Sequence, residues 1–94
     1  MYTYVQLFKL TPEGREHLTD VPEYLGKFKK HVVEAGGTVE TIYAFMGPWD
    51  FLSIVKYPDN EIAFKVLAKI GRLEWVETQT FPAEEIELFT KALV

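Results

Sequence analysis

Asp50 and His31 are the side chains with the strongest claim to acid–base chemistry. Asp50 closes the stretch Met46-Gly47-Pro48-Trp49-Asp50-Phe51, where a carboxylate follows an indole between two apolar runs. Such a carboxylate serves as an acceptor, or as a general base once burial raises its pKa, with Trp49 as a stacking wall. The same residues also make a turn. Gly47 can take a positive φ, Pro48 stiffens the backbone, and Asp50 can accept backbone N–H bonds. His31 falls one helical turn after Phe28 and one before Ala35, with Tyr24 seven residues earlier on the same flank. An imidazole there can bind a ligand or carry a proton. A half-exposed histidine satisfied by local contacts is the plainer alternative.

Tyr43, Trp49, Trp75 and Asp50 are the candidate ligand-binding residues. Aromatics interspersed with Gln79, Glu77 or Ser53 suit a small planar or amino-acid-like ligand. They would serve equally as core and dimer interface, which favour Tyr, Trp and Phe. No metal or cofactor site is expected. His17 and His31, fourteen residues apart, match no standard metal spacing. Haem would have His31 alone as axial ligand and only Lys27 or Arg72 for its propionates. The chain has no cysteine, which removes thiol nucleophiles, disulfides and Cys-based metal sites. No Ser/His/Asp trio, phosphate loop or paired carboxylate motif appears. Glu84, Glu85 and Glu87 open the last helix, where they favour its dipole.

The elements that must position these residues follow from local signals. Residues 2–10 are rich in aromatic and branched side chains and read as a strand ending at Thr11-Pro12. Thr11 can cap a short helical turn with Pro12 at its first position. From Pro22 onward, Val21, Leu25, Phe28, Val32 and Ala35 form a helical stripe, with Asp20 as cap and Gly36-Gly37 as stop. Residues 38–46 and 51–57 form a hairpin around the Gly47–Asp50 turn. Asp59 caps a second helix that buries Ile62, Ala63, Val66, Leu67 and Ile70 and ends at Gly71. Residues 73–81 alternate as a fourth strand, Pro82 stops it, and 83–93 form a terminal helix with Ile86, Phe89 and Leu93 on one face.

The order βαββαβ plus a C-terminal helix predicts an α+β, ferredoxin-like domain spanning 1–94. It has four antiparallel strands and both crossover helices on one sheet face. Side chains alternate faces along a strand. One parity set holds Val5, Leu7, Ile42, Ala44, Leu52, Ile54, Val76 and Thr78. The other holds Tyr4, Gln6, Phe8, Tyr43, Phe45, Phe51, Ser53, Val55, Trp75, Glu77 and Gln79. Neither suits water, and two helices cover one face only, so a second subunit laid sheet to sheet is expected. The aliphatic set is the expected helix-facing core.

Bulk composition agrees with a small domain that hides surface against a copy of itself. Of 94 residues, 48% are apolar, including seven Phe, five Tyr and two Trp. A net charge of −4 disfavours nucleic acid, and Lys27, Lys29 and Lys30 read as a solvated helix face. No secretory signal is visible and no run reaches the ~20 apolar residues of a membrane span. A soluble cytoplasmic protein with no membrane partner is expected.

Four features together resemble the GYD-domain family: the opening Tyr4-Val5-Gln6-Leu7-Phe8-Lys9-Leu10-Thr11-Pro12-Glu13-Gly14, the Gly36-Gly37 stop, the Gly-x-aromatic-Asp-Phe hairpin and the Pro58-Asp59 helix start. The naming motif Gly-x-Tyr-Asp corresponds to Gly47-Pro48-Trp49-Asp50, with Trp49 in place of the tyrosine and its hydroxyl. The resemblance implies a dimeric α/β barrel. That superfamily includes Lrp/AsnC ligand-sensing domains, small cofactor-free monooxygenases, and haem-degrading and chlorite-dismutase-like proteins. Two functions follow as expectations. The first is a homodimeric or higher homo-oligomeric module that binds or senses a small molecule. The alternative is a cofactor-free monooxygenase or isomerase-like enzyme using His31, Tyr43, Trp75 or Asp50 around an aromatic or small organic substrate.

Overall fold

The computed structural model describes residues 1–72 and 74–94. The elements run β1 (Tyr2–Leu10), α1 (Pro12–Glu16), a 3-10 turn (Leu18–Asp20), α2 (Val21–Glu34), β2 (Thr38–Ala44), β3 (Phe51–Tyr57), α3 (Asn60–Ile70), β4 (Val76–Ala83) and α4 (Ile86–Lys91). The strands form one antiparallel sheet in the order β2-β3-β1-β4.

Local signals account for most boundaries. The Thr11 hydroxyl accepts the Gly14 N–H at 3.0 Å, with Pro12 opening α1. The Asp59 carboxylate accepts the Ile62 N–H at 2.9 Å and starts α3. Gly36, at φ +90°, takes the left-handed turn after α2 that a Cβ would penalise. Asp20 stands at the head of α2 but does not cap it; its carboxylate turns to His17 Nδ1 at 3.4 Å instead.

The fourth strand differs from its expected span. It begins at Val76 and runs through Pro82 to Ala83; the expected start, Leu73, lies outside the described residues. Pro82 is tolerated because β4 pairs only with β1 and is an edge strand. The terminal helix is correspondingly short.

The assignment of sheet faces is corrected. On β1 and β3 it is the aromatic set that meets the helices: Tyr4, Phe8, Val55 and Tyr57 are buried, with Phe51 packed against them. Phe28 and Val32 of α2 and Ala63, Val66 and Ile70 of α3 complete this core. Phe8 meets Phe28 edge to face at 5.3 Å. The interspersed polar groups do not oppose this choice, because they satisfy one another. Gln6 lies opposite Ser53 on β3 and opposite Thr80 on β4. Its amide donates to Thr80 Oγ1 at 3.2 Å and its carbonyl accepts from Ser53 Oγ at 3.3 Å. The aliphatic Val5, Leu7, Leu52 and Ile54 point to the opposite, open face.

Two strands also join the sets in a different phase. A bulge between Val39 and Thr41 shifts β2 by one residue, so Ile42 lies opposite Ser53 and Tyr43 opposite Leu52. One residue of slip exchanges the faces of a strand. Ile42 therefore joins the core side and Tyr43 the open side. On β4, Val76 and Thr78 lie opposite Leu10 and Phe8, leaving Glu77 and Gln79 on the open side.

Candidate functional site

The hairpin end is held by Asp50. Gly47 sits at φ +130°, and the Asp50 N–H donates to the Phe8 carbonyl at 2.8 Å while its carbonyl accepts from Phe45 N–H at 3.0 Å. The first ties the loop to β1 and the second closes the hairpin. The Asp50 carboxylate adds a third tie, accepting the Leu10 N–H through Oδ2 at 2.7 Å, with Arg15 Nη2 at 3.6 Å from the same oxygen. One carboxylate thus joins the hairpin, β1 and α1. Oδ2 is thereby committed to holding the fold. Trp49 is half-buried beside it. Arg15, thirty-five residues away, carried no sequence signal of this pairing, because only the fold brings α1 over the hairpin.

The remaining predicted residues do not converge on Asp50. Tyr43 is on the open sheet face and 59% exposed. Trp75 precedes β4, packs against the core, and stacks on His17 with ring centroids 4.5 Å apart and planes 9° off parallel. His31 lies in the last turn of α2. A cavity of about 290 Å³ bordered by Asp20, Glu23, Tyr24, Lys27 and Trp75 runs along the flank of α2. A smaller one of about 80 Å³ continues from Tyr24 and Lys27 to Phe28, His31, Lys69 and Ile70. The structure thus brings His31 and Trp75 onto one flank of α2, with Tyr24 between them. Lys69, contributed by α3, had no sequence signal of its place there.

A third concavity lies where the start of α3 meets β1 and β4. Tyr2, Tyr4, Asp59, Asn60, Pro82 and Glu84 border a cavity of about 540 Å³. The Tyr4 hydroxyl donates to Asn60 Oδ1. Burial first, then the Asp59 carboxylate and Tyr2, raise the Tyr4 phenol above its ordinary value. Beside it, burial pushes Tyr57 up to about 12, partly offset by the Gln6 side chain. Both phenols therefore stay neutral at ordinary pH. Among the described residues no group of three or more His, Cys, Asp or Glu is placed to hold a metal ion.

The open sheet face is uncovered. Val5, Leu7, Leu52 and Ile54 remain part-exposed there, flanked by Tyr43 and Phe81. Beyond it, α4 packs substantially against no other element among the described residues, and its Ile86 and Phe89 are 64% and 62% exposed. Among the described residues no helix is long and apolar enough to cross a membrane.

An antiparallel β2-β3-β1-β4 sheet with its two crossover helices on one face defines a ferredoxin-like α+β domain. The chain belongs to the GYD-domain family, whose model matches residues 4–93. It is 29% identical over 84 residues to the glutamine synthetase and cystathionine beta-lyase binding protein of Thermus thermophilus, covering 88% of each chain. The fold is shared with three solved structures. TTHA0845 from Thermus thermophilus has a TM-score of 0.58 at 24% identity, over 90% of this chain and 95% of that one. FFRP-DM1 scores 0.60 at 17% identity, over 89% and 100%. Ribosomal protein S6 from Thermotoga maritima scores 0.52 at 19%, over 98% and 94%.

Proposed function

We propose that this chain is a self-associating binding and regulatory module, which pairs through its open sheet face and acts on a larger protein partner. The observation that carries the reading is the aliphatic face of Val5, Leu7, Leu52 and Ile54, uncovered in the single chain. Strands spaced about 4.8 Å apart and rising about 3.4 Å per residue give four strands a face of roughly 500 Å². Its apolar centre, Val5, Leu7, Leu52 and Ile54 with Tyr43 and Phe81 beside them, is a contiguous patch of the kind that marks an interaction surface, while Glu77 and Gln79 make its β4 side polar. A two-fold axis laying this face on its copy covers both at once and makes a dimeric α/β barrel of the single domain. The exposed apolar side of α4 is a second surface for the same copy or for a neighbouring dimer.

The protein-partner part of the reading is supported by the name of the Thermus thermophilus relative, a binding protein for two enzymes. Glutamine synthetase and cystathionine beta-lyase are therefore the first partners to test. A cytoplasmic location accords with both partners and with the absence of cysteine. The enzymatic alternative receives less support, because Asp50, Tyr43 and His31 lie at three separate places and Asp50 is engaged by Leu10 and Arg15.

Sedimentation and native mass spectrometry test the assembly. The expected mass is a multiple of the 10.9 kDa chain, falling to a folded single chain in Ile54→Glu and Leu52→Glu. A single-chain mass for the unaltered protein at micromolar concentration overturns the reading. Co-sedimentation with each purified enzyme tests the partner separately.

A further inference from the structure

A groove of about 150 Å³ lies between α3 and β4. Ala63, Phe64 and Leu67 form one wall, and Thr80 and Pro82 the other. Asn60, Ala63, Phe64 and Leu67 recur at helical spacing, so the groove runs along the axis of α3. Its lining is mostly apolar, and Phe64 is 71% exposed beside it. The same chain carries an apolar ridge with nothing against it. Ile86 and Phe89 of α4, with Leu93 in the turn that follows, fall at i, i+3 and i+7 on one side of the helix and are all exposed. No residue of α4 borders the groove in the single chain.

Chain direction and charge decide which copy of α4 suits the groove. β4 ends beside the start of α3, because Asp59, Asn60 and Glu61 border the same cavity as Pro82, Ala83 and Glu84. Laid back into its own groove, α4 would therefore run parallel to α3. Glu84, Glu85 and Glu87 would then meet Asp59 and Glu61, and Lys91 would point toward the basic end of α3, with Lys65, Lys69 and Arg72. Like charges would oppose at both ends, and the two helix dipoles would be parallel. An antiparallel arrangement reverses all of this. The acidic start of α4 meets the basic end of α3, and Lys91 meets Asp59 and Glu61. Glu61 already pairs with Lys65 at 3.8 Å, but both side chains are exposed and exchange partners at little cost. The chain's own α4 does not reach the antiparallel position. Lys69 lies about 13 Å along the axis from Asn60, at 1.5 Å per residue. Only Glu84 and Glu85 separate β4 from α4, a span of about 7 Å.

We propose that the groove receives α4 of a second copy of this chain, antiparallel to α3, with Phe89 as the anchor. An apolar cavity of about 150 Å³ holds one benzene-sized ring, which matches a single phenylalanine. Buried aromatics cover about 150–250 Å² each, so the exposed parts of Phe64 and Phe89 together supply about 250 Å². Ile86 and Leu93 roughly double that. Two reciprocal contacts about a two-fold axis then remove about 1,000 Å², where specific interfaces begin. The inference rests on the self-association proposed above but uses a different surface from the open sheet face.

Disulfide trapping tests it. The chain has no cysteine, so introduced thiols report on this contact alone. Leu67→Cys and Ile86→Cys chains are prepared separately, mixed, oxidised and compared on a non-reducing gel with each chain oxidised by itself. The expected result is a disulfide between the two chains in excess of both controls. Phe64→Cys mixed with Phe89→Cys, both at exposed positions, gives a second pair at the middle of the groove. Adding Phe89→Glu to the Ile86→Cys chain should cut the 67–86 yield about tenfold or more, with the circular dichroism of the parent retained. Absence of both disulfides overturns the proposal. So does preferential coupling of Asn60→Cys with Ile86→Cys, which marks the parallel arrangement. A chain bearing both Leu67→Cys and Ile86→Cys that closes within itself overturns it as well. Loss of trapping with a dimer mass retained refutes this contact and leaves the sheet face standing. Trapping that persists while Leu52→Glu leaves the mass unchanged supports this contact and refutes the sheet face.

Discussion

Replacing Asp50 should cost stability before it costs any chemistry, and the cost can be worked from its contacts. Its carboxylate accepts the N–H of buried Leu10 at 2.7 Å. A hydrogen bond to a charged group contributes about 1.5–3 kcal/mol, and losing it here strands a buried donor. The Arg15 contact at 3.6 Å involves a side chain 57% exposed, so solvent screening holds its contribution below about 1 kcal/mol. Asp50→Ala should therefore cost about 2–3 kcal/mol. Domains of this length have roughly 5–14 kcal/mol in total, so the variant folds but is visibly weakened. At about 4–8 °C per kcal/mol, Tm falls by about 10–20 °C. Asp50→Asn keeps an acceptor oxygen and loses only the charge, with an expected cost of about 1 kcal/mol. The backbone bonds of residue 50 to Phe8 and Phe45 survive in both variants. Thermal denaturation followed by circular dichroism, at several protein concentrations to separate assembly from folding, reads the difference. An Asp50→Ala protein melting within about 1 °C of the parent refutes the structural role, as does an Asn variant as costly as the Ala one.

Alkali should unfold the protein over a defined window. Burial raises Tyr24 and Tyr57 from 10.0 to about 12 in the folded chain, so the folded state holds those protons more tightly than the unfolded one. Their contribution is complete below pH 10 and is lost as pH rises toward 12; Tyr24→Phe and Tyr57→Phe should each flatten that limb in urea titrations at stepped pH. An unchanged limb in both variants would show that other groups set it. Two glycines should respond oppositely to alanine. At Gly14 a Cβ would come within 2.1 Å of the Trp75 carbonyl oxygen, which already accepts the Thr11 N–H, so Gly14→Ala should cost about 3 kcal/mol or more. At Gly26, within α2, a Cβ meets nothing within 4 Å, and Gly26→Ala should stabilise by about 0.5–1 kcal/mol in the same denaturation assay. Equal effects at the two sites would contradict this packing.

Local chemistry in the sequence determined the element order. Thr11-Pro12, Asp59 and Gly36 announce their caps and stops because a cap is satisfied within a few residues of itself. The Gly47–Asp50 turn is legible for the same reason, and with it the βαββαβ order and the family. The tertiary structure decided which sheet face meets the helices. Parity separates two faces but does not rank them, and the ranking turned on Gln6 finding Ser53 and Thr80 across two neighbouring strands. A single bulge moved Tyr43 to the face opposite Phe51, a shift that periodicity alone does not register. Edge position, also a property of the assembled sheet, let β4 continue through Pro82. The chemistry-bearing residues divide likewise. Asp50 was visible as a turn acceptor, but its bond to Leu10 and its neighbour Arg15 span long stretches of chain. Tyr24 and His31 were visible as one flank of a helix. That α3 sets Lys69 beside them, and that the Tyr24 hydroxyl and His31 Nδ1 lie buried with no hydrogen-bond partner among the described residues, are consequences of packing two helices over one sheet.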